Sequence, residues 1–96
     1  MAHQFVNIMD AYEKVEVWRR RENHLIRYVC LKSLGMNKYA VLKADFFRSS
    51  SNAQDHDAFD KQFIDLMIEQ SPVERCNWFD SPLEAMTAHD KYFENG

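Results

Sequence analysis

Apolar and polar side chains alternate along the first half of the chain, in three runs separated by short polar segments. The runs are residues 14–20, 24–32 and 39–47, and each is rich in β-branched or aromatic side chains. Alternation with this composition is typical of strands that bury one face. The pattern therefore predicts a sheet of three strands that follow one another directly along the chain.

Two turns set the expected register of this sheet. Glu22-Asn23 fits a two-residue turn, and the segment around Met36 contains Gly35 and Asn37, which tolerate positive φ. Pairing the strands around these turns gives an antiparallel meander, and its register determines which side chains share a face. The predicted core face consists of Val15, Val17, Ile26, Tyr28, Cys30, Ala40, Leu42, Ala44 and Phe46.

The second half of the chain has the spacing of amphipathic helices. Asp55 or Asp57 is predicted to cap a helix that ends at Ser71-Pro72, because a residue before proline disfavours the helical conformation. We expect the buried stripe of this helix to consist of Phe59, Phe63, Leu66 and Met67, widened by Ile64 and Ile68.

A last helix is indicated by the segment Ser81-Pro82-Leu83-Glu84. Serine at the N-cap, proline at the first helical position and glutamate three residues beyond the cap form a capping box. The helix is expected to cover residues 82–93 and to bury Leu83, Met86 and Phe93.

Two further segments are short. Residues 3–12 favour a short helix or a turn, and residues 75–79 favour a short fourth strand. The whole chain of 96 residues suits one domain, residues 1–96. Its predicted class is α+β, with a three-stranded antiparallel meander packed against two C-terminal helices.

The charges are distributed unevenly along the chain. Residues 1–48 contain nine Lys or Arg and five Asp or Glu, for a charge of +4. Residues 49–96 contain three and ten, for −7, so the total is −3. We expect the two halves to attract each other within the fold, and the alternative is a basic face for an anionic partner.

The expected compartment is the cytoplasm. No window approaches the roughly 18 apolar residues of a membrane helix, and the start of the chain lacks the pattern of a signal peptide. Cys30 and Cys76 are therefore predicted to be free thiols. No membrane partner is expected.

Few residues have the spacing that catalysis or metal binding requires. The four histidines and two cysteines form no zinc-binding pattern, and two glycines are too few for a phosphate-binding loop. No metal and no cofactor are predicted. His89 shares a helical face with Met86 and is expected to lie at the core edge, bonded to a carbonyl or to Asp90. The alternatives are a general base in a small enzyme and a ligand.

The second face of the sheet is the main functional candidate, because it combines aromatic, aliphatic and charged side chains. In the predicted register, Trp18 lies opposite Arg27, and Arg27 lies opposite Asp45. Three covers are conceivable: a helix of the same chain, another protein, or single-stranded nucleic acid stacked on the aromatic rings. The hypothetical contact strip consists of Trp18, Arg20, Arg27, Tyr39, Lys43 and Phe47.

The preferred hypothesis is an interaction module without catalytic activity that binds another protein or a second copy of itself. A nucleic-acid-binding domain is the alternative, with Trp18, Tyr39 and Phe47 stacking on bases. The isoelectric point of 5.7 and the carboxylates of Glu16 and Asp45 disfavour that alternative. An enzyme that uses His89 is the third hypothesis.

Overall fold

The computed structural model describes residues 10–50 and 52–95, except for the side chains of residues 53 and 93–95. The three strands form one antiparallel sheet in the order β1-β2-β3, which confirms the predicted α+β meander followed by helices. The elements are, in chain order, β1 (Tyr12–Arg20), β2 (Leu25–Ser33), β3 (Lys38–Phe47), α1 (Ala53–Glu69), α2 (Pro72–Arg75) and α3 (Pro82–Asn95).

The chain before β1 lies mostly outside the described residues. The short helix or turn predicted for residues 3–12 therefore stays a prediction over residues 3–9. At its end the prediction is wrong, because Tyr12 already belongs to β1.

The first hairpin has the predicted register. Val17 lies opposite Tyr28, and Val15 lies opposite Cys30. The amide of Arg21 donates a hydrogen bond to the carbonyl of His24 at 2.9 Å, which closes the turn at Glu22-Asn23. Local turn chemistry was sufficient to set this pairing.

The second hairpin departs from the predicted register at Leu42. Val29 pairs with Lys43 as expected, but Cys30 pairs with Val41 rather than with Leu42, which has no partner in β2. This extra residue is a β-bulge, and it moves each side chain on its far side to the opposite face. The prediction that Ala40 lies on the core face with Cys30 is therefore wrong, and Val41 takes that place.

The turn before β3 uses one of its two permissive residues. Asn37 adopts a φ of 55°, in the left-handed region, whereas Gly35 does not. The amide of Asn37 donates to the carbonyl of Ser33 at 2.8 Å, and the amide of Met36 donates to the Ser33 hydroxyl. The Ser33 hydroxyl thus accepts a hydrogen bond from a turn amide that takes no part in the pairing of the strands.

Helix α3 covers the face of the sheet that carries Ile26, Tyr28 and Cys30, which we call the α3 face. These three side chains form a buried cluster with Met86 of α3. The residues packed around this cluster are Val15, Val17, Val41 and Ala44. Phe46 departs from the prediction, because 57% of its surface is exposed at the margin of this face.

Helix α1 covers the opposite face, which carries Arg27, Lys43 and Phe47 and which we call the α1 face. The ring centroids of Phe47 and Phe59 lie 5.3 Å apart, and the Lys14 ammonium lies 4.4 Å from the Phe63 ring centroid. The sheet is therefore sandwiched between two helices of its own chain.

Helix α1 differs from its prediction at the cap and in the width of its stripe. The N-cap is Asn52, which forms a capping box with Asp55, rather than Asp55 or Asp57. Ile64 and Ile68 are 55% and 78% exposed, so the expected widening of the stripe is wrong. The face that α1 presents to the sheet is narrow, and the rest of the helix is solvated.

Helix α3 begins at the predicted cap. The Ser81 hydroxyl accepts a hydrogen bond from the amide of Glu84, whose carboxylate accepts one from the amide of Asp80. Met86 is buried as expected, whereas Leu83 is 64% exposed, contrary to prediction. The side chain of Phe93 lies outside the described residues.

The segment between the two long helices is not a regular fourth strand. Arg75 ends the short helix α2, and only Phe79 pairs with the sheet, through an isolated bridge to Tyr39. The two residues exchange backbone hydrogen bonds of 2.7 Å in both directions. The outer edge of β3 is therefore paired with this segment at one residue, Tyr39.

Charge attraction between the two halves of the chain is confirmed by three ion pairs. Arg19 contacts Asp90 at 2.7 Å, Lys38 contacts Asp80 at 2.6 Å, and Arg27 contacts Asp60 at 3.5 Å. Each joins a basic residue of the sheet to an acidic residue of the second half.

Candidate functional site

The structure brings part of the predicted contact strip together on the α1 face. The Arg27 guanidinium carbon lies 5.6 Å from the Trp18 ring centroid and 5.2 Å from that of Phe47. Trp18 is half exposed and Arg20 is exposed, but Phe47 is 7% exposed because α1 lies over it.

Arg27 and Lys43 are also buried, in an ionic cluster with Asp45. One Asp45 oxygen accepts hydrogen bonds from Nε and Nη2 of Arg27, at 3.0 and 2.7 Å, and the other accepts one from Lys43 Nζ at 2.9 Å. Lys43 also donates to the carbonyl of Phe59. These two cations are engaged in the contact between sheet and helix, so Trp18 and Arg20 are the strip residues of this face that remain exposed.

Tyr39 lies apart from the other strip residues. Because the bulge at Leu42 reverses the orientation of the preceding residues, the Tyr39 side chain points to the α3 face. Its ring lies 5.9 Å from the Lys32 ammonium, on the same side of the sheet. The expectation that Tyr39 shares a face with Trp18 is wrong.

One concave feature of the described surface is a groove that the sequence did not indicate. It has a volume of about 660 Å³ and lies along the outer edge of β3, between α1 and α3. Pockets that bind ligands commonly measure roughly 300–1,000 Å³. Its apolar wall consists of Ile26, Leu42, Ala44, Phe46 and Leu66.

Two hydrogen bonds to Asp90, which we call the polar tie, lie at the α3 side of this groove. The Tyr28 hydroxyl donates to one oxygen of Asp90 at 2.7 Å, and Arg19 donates to the other at 2.7 Å. Burial, followed by the hydrogen bond to Asp90, raises the pKa of Tyr28 to about 12, against the opposing charges of Arg19 and Arg21. Tyr28 therefore keeps its proton at neutral pH, and both Asp90 oxygens are engaged.

His89 lines the groove beside this tie. Its Nδ1 atom lies 3.7 Å from Asp90, and its ring meets the Tyr28 ring edge-on with centroids 6.0 Å apart. His89 also lines a smaller cavity of about 260 Å³, together with Val41 and Phe79. The expected place at the core edge agrees with this geometry, but 3.7 Å is too long for the expected hydrogen bond between this nitrogen and Asp90.

One end of the groove is formed by Arg21, in the turn between β1 and β2. Arg21 is exposed and makes no ion pair with any side chain that the structure describes. The other end follows β3 toward Leu42. The guanidinium of Arg21 thus lies beside the apolar wall of the groove.

The cysteines do not have the environment of reactive thiols. Cys30 is fully buried, and burial raises its pKa to about 11. Burial also raises the pKa of Cys76, although the neighbouring Arg75 opposes the shift. Both are free, as predicted. Among the described residues, no group of three or more histidine, cysteine or acidic side chains is placed to hold a metal ion.

Comparison with known proteins gives this site no precedent. No protein-family model matches the chain, and comparison with curated proteins and with solved structures found no similar protein. Within the described part of the chain, no helix is long and apolar enough to cross a membrane.

Proposed function

We propose that this protein is a binding module without catalytic activity, which holds an extended segment of another protein against the outer edge of β3. The observation that supports the proposal is the apolar groove between α1 and α3, which runs beside an edge strand. Edge strands bind extended peptides through backbone hydrogen bonds, while neighbouring pockets receive alternate side chains.

The dimensions and surroundings of the groove suit such a segment. From Leu42 to Phe46 the β3 backbone covers four residue steps, or roughly 13 Å at the rise of a strand. Leu66 of α1 and His89 of α3 stand on either side of this stretch. A segment of four or five residues would contact the strand and both helices.

The bridge between Tyr39 and Phe79 supports the same mode of binding. It already occupies the start of the β3 edge with a paired backbone. Among the described residues, it is the one backbone pairing of β3 outside the three-stranded sheet. A bound segment that paired with β3 beyond Val41 would extend this backbone pairing along the same edge of the sheet.

A binding role also fits the chemistry of the polar groups at this site. Tyr28 retains its proton, and Asp90 is held by Arg19 and Tyr28, so these residues stabilise the position of α3. As part of the proposal we assign the protein to the cytoplasm, since free Cys30 and Cys76 suit a reducing compartment.

The nucleic-acid alternative required Trp18, Tyr39 and Phe47 to form one exposed surface for stacking on bases. Phe47 is buried under α1, and Tyr39 points to the opposite face from Trp18. Stacking of successive bases requires exposed rings along one groove.

The proposal is tested by photo-crosslinking from the groove. Benzoylphenylalanine in place of Phe46, which is 57% exposed, reports what binds there. The same group in place of Leu83, which is 64% exposed on α3 outside the groove, is the matched control. Cells expressing each variant are irradiated, and the adducts are identified by mass spectrometry with and without nuclease treatment.

A nuclease-resistant adduct with a defined protein segment at position 46, absent at position 83, is the expected result. It should disappear when Gln62→Trp fills the groove from its exposed side or when Leu66→Glu places a charge in its wall. An adduct between two copies of this chain would identify a homodimer as the bound form. Equal adducts at both positions, adducts lost on nuclease treatment, or no adduct at all would overturn the proposal.

A further inference from the structure

We infer that the segment bound in this groove carries a carboxylate, which pairs with Arg21 at the end of the groove next to Phe46. The inference rests on the proposed function and specifies the chemistry of its partner. It follows from the charges that line the groove and from which of them are already neutralised.

The other charged groups of the groove have partners within the fold. Lys43 is paired with Asp45 at 2.9 Å and also bonds the Phe59 carbonyl. Asp90 is paired with Arg19 at 2.7 Å. Arg21 is exposed and forms no ion pair with the described residues, so it contributes a positive charge that a ligand can neutralise.

The position of Arg21 fixes where the ligand's carboxylate has to lie. Phe46 pairs with Ile26 near the turn between β1 and β2, and Arg21 belongs to that turn. The positive charge of Arg21 also acts on Tyr28, a groove residue that is 1% exposed. Arg21 is therefore directed at the groove, unlike Arg20, which does not line it.

Continuity with the bridge between Tyr39 and Phe79 specifies the form of the ligand. A segment that extends this pairing along β3 presents every second side chain to the groove. Those side chains would be apolar over Leu42 and Leu66, and the acidic group would follow at the Phe46 end. An Asp or Glu side chain and a free C-terminal carboxylate offer the same chemistry to a guanidinium.

The inference is tested with a displayed library of random twelve-residue peptides, selected on the purified protein. Selections run in parallel on the unaltered chain, on Arg21→Glu and on the matched control Arg20→Glu. Both arginines are exposed residues beside the same turn, so the two variants change the net charge equally with little effect on folding. Unfolding curves of all three proteins check that point.

Peptides from the unaltered chain and from Arg20→Glu should combine alternating apolar residues with Asp, Glu or a free C-terminus at one end. Their affinity for Arg21→Glu should be at least about tenfold lower, because attraction is replaced by repulsion. Selection on Arg21→Glu should give Lys or Arg at that end. Amidating the C-terminus separates the two sources of the carboxylate.

Two failures are distinguishable. Peptides that bind in the groove, as shown by their loss with Gln62→Trp, but bind the unaltered chain and Arg21→Glu equally would overturn this inference alone. If no selected peptide is sensitive to Gln62→Trp or Leu66→Glu, both the inference and the proposed function fail.

Discussion

The two faces of the sheet are covered by helices of similar length, yet the contacts beneath them are chemically different. Under the 14-residue helix α3, the centre of the contact is apolar, with Met86 packed on Ile26 and Cys30. Under the 17-residue helix α1, the centre is ionic, with Arg27 and Lys43 on either side of the buried Asp45 carboxylate.

This difference determines how each face responds to a substitution. An apolar contact loses free energy in proportion to the atoms removed and the cavity left behind. A buried ionic cluster is stabilising only as long as its members are all present, because removal of one leaves another charged and desolvated. The α1 face should therefore tolerate the loss of a charged partner less well than the α3 face tolerates the loss of an apolar one.

The largest effect is expected for Asp45→Asn. It removes the charge between Arg27 and Lys43, which are 7% and 9% exposed, and leaves two cations under α1. The free energy of unfolding, measured by urea denaturation, should fall by about 3–5 kcal/mol. The matched control is Asp60→Asn, which removes the charge of a 59% exposed carboxylate that contacts the same Arg27 guanidinium. It should lower the free energy of unfolding by less than about 1 kcal/mol. Equal losses would contradict the ionic description of this face.

A somewhat smaller effect is expected on the α3 face from Met86→Ala. Met86 is 3% exposed, and its truncation leaves a cavity above Tyr28 and Cys30. Urea denaturation should show a loss of about 2–4 kcal/mol. Leu83→Ala, on the same helix but 64% exposed, should stay within about 0.5 kcal/mol. A large loss from Leu83→Ala would mean that α3 is rotated relative to this structure.

The smallest effect at neutral pH is expected for Tyr28→Phe, which removes the polar tie between the α3 face and Asp90. Loss of a hydrogen bond to a charged acceptor should cost about 1–2 kcal/mol. This cost should itself depend on pH, because the pKa of Tyr28 is raised from 10.0 to about 12 in the folded chain.

The direction of that pH dependence follows from proton binding. As pH rises from 10 toward 12, the unfolded chain releases the Tyr28 proton first, so the stability due to this group is present below pH 10 and declines above it. The difference in unfolding free energy between the unaltered chain and Tyr28→Phe should shrink by on the order of 2 kcal/mol over that interval. A difference that stays constant would show that the hydroxyl is not held as described.

The sequence determined the features that depend on neighbouring residues. Alternation defined three strands, and the turn at Glu22-Asn23 set the register that places Trp18 opposite Arg27. The cap at Ser81 placed the start of α3. Each of these signals acts over a few residues, so each is readable from the chain itself.

Only the tertiary structure decided the features that depend on distant segments. Leu42 forms a bulge in a run whose apolar and polar residues alternate without interruption. Tyr39 therefore lies on the face opposite to the predicted one, and no local sequence feature indicates this. Periodicity predicted the apolar stripe of α1, but it did not predict that Ile64 and Ile68 are exposed to solvent.

The candidate site belongs to the same category. The groove is formed by Arg21 of a turn, Phe46 of an edge strand and Leu66 of a helix. Its walls come together only because α1 and α3 pack on opposite faces of one sheet and extend beside the same edge. Spacing along the chain records which face of a helix is apolar, but the surface that this face meets is set by the packing of the whole fold.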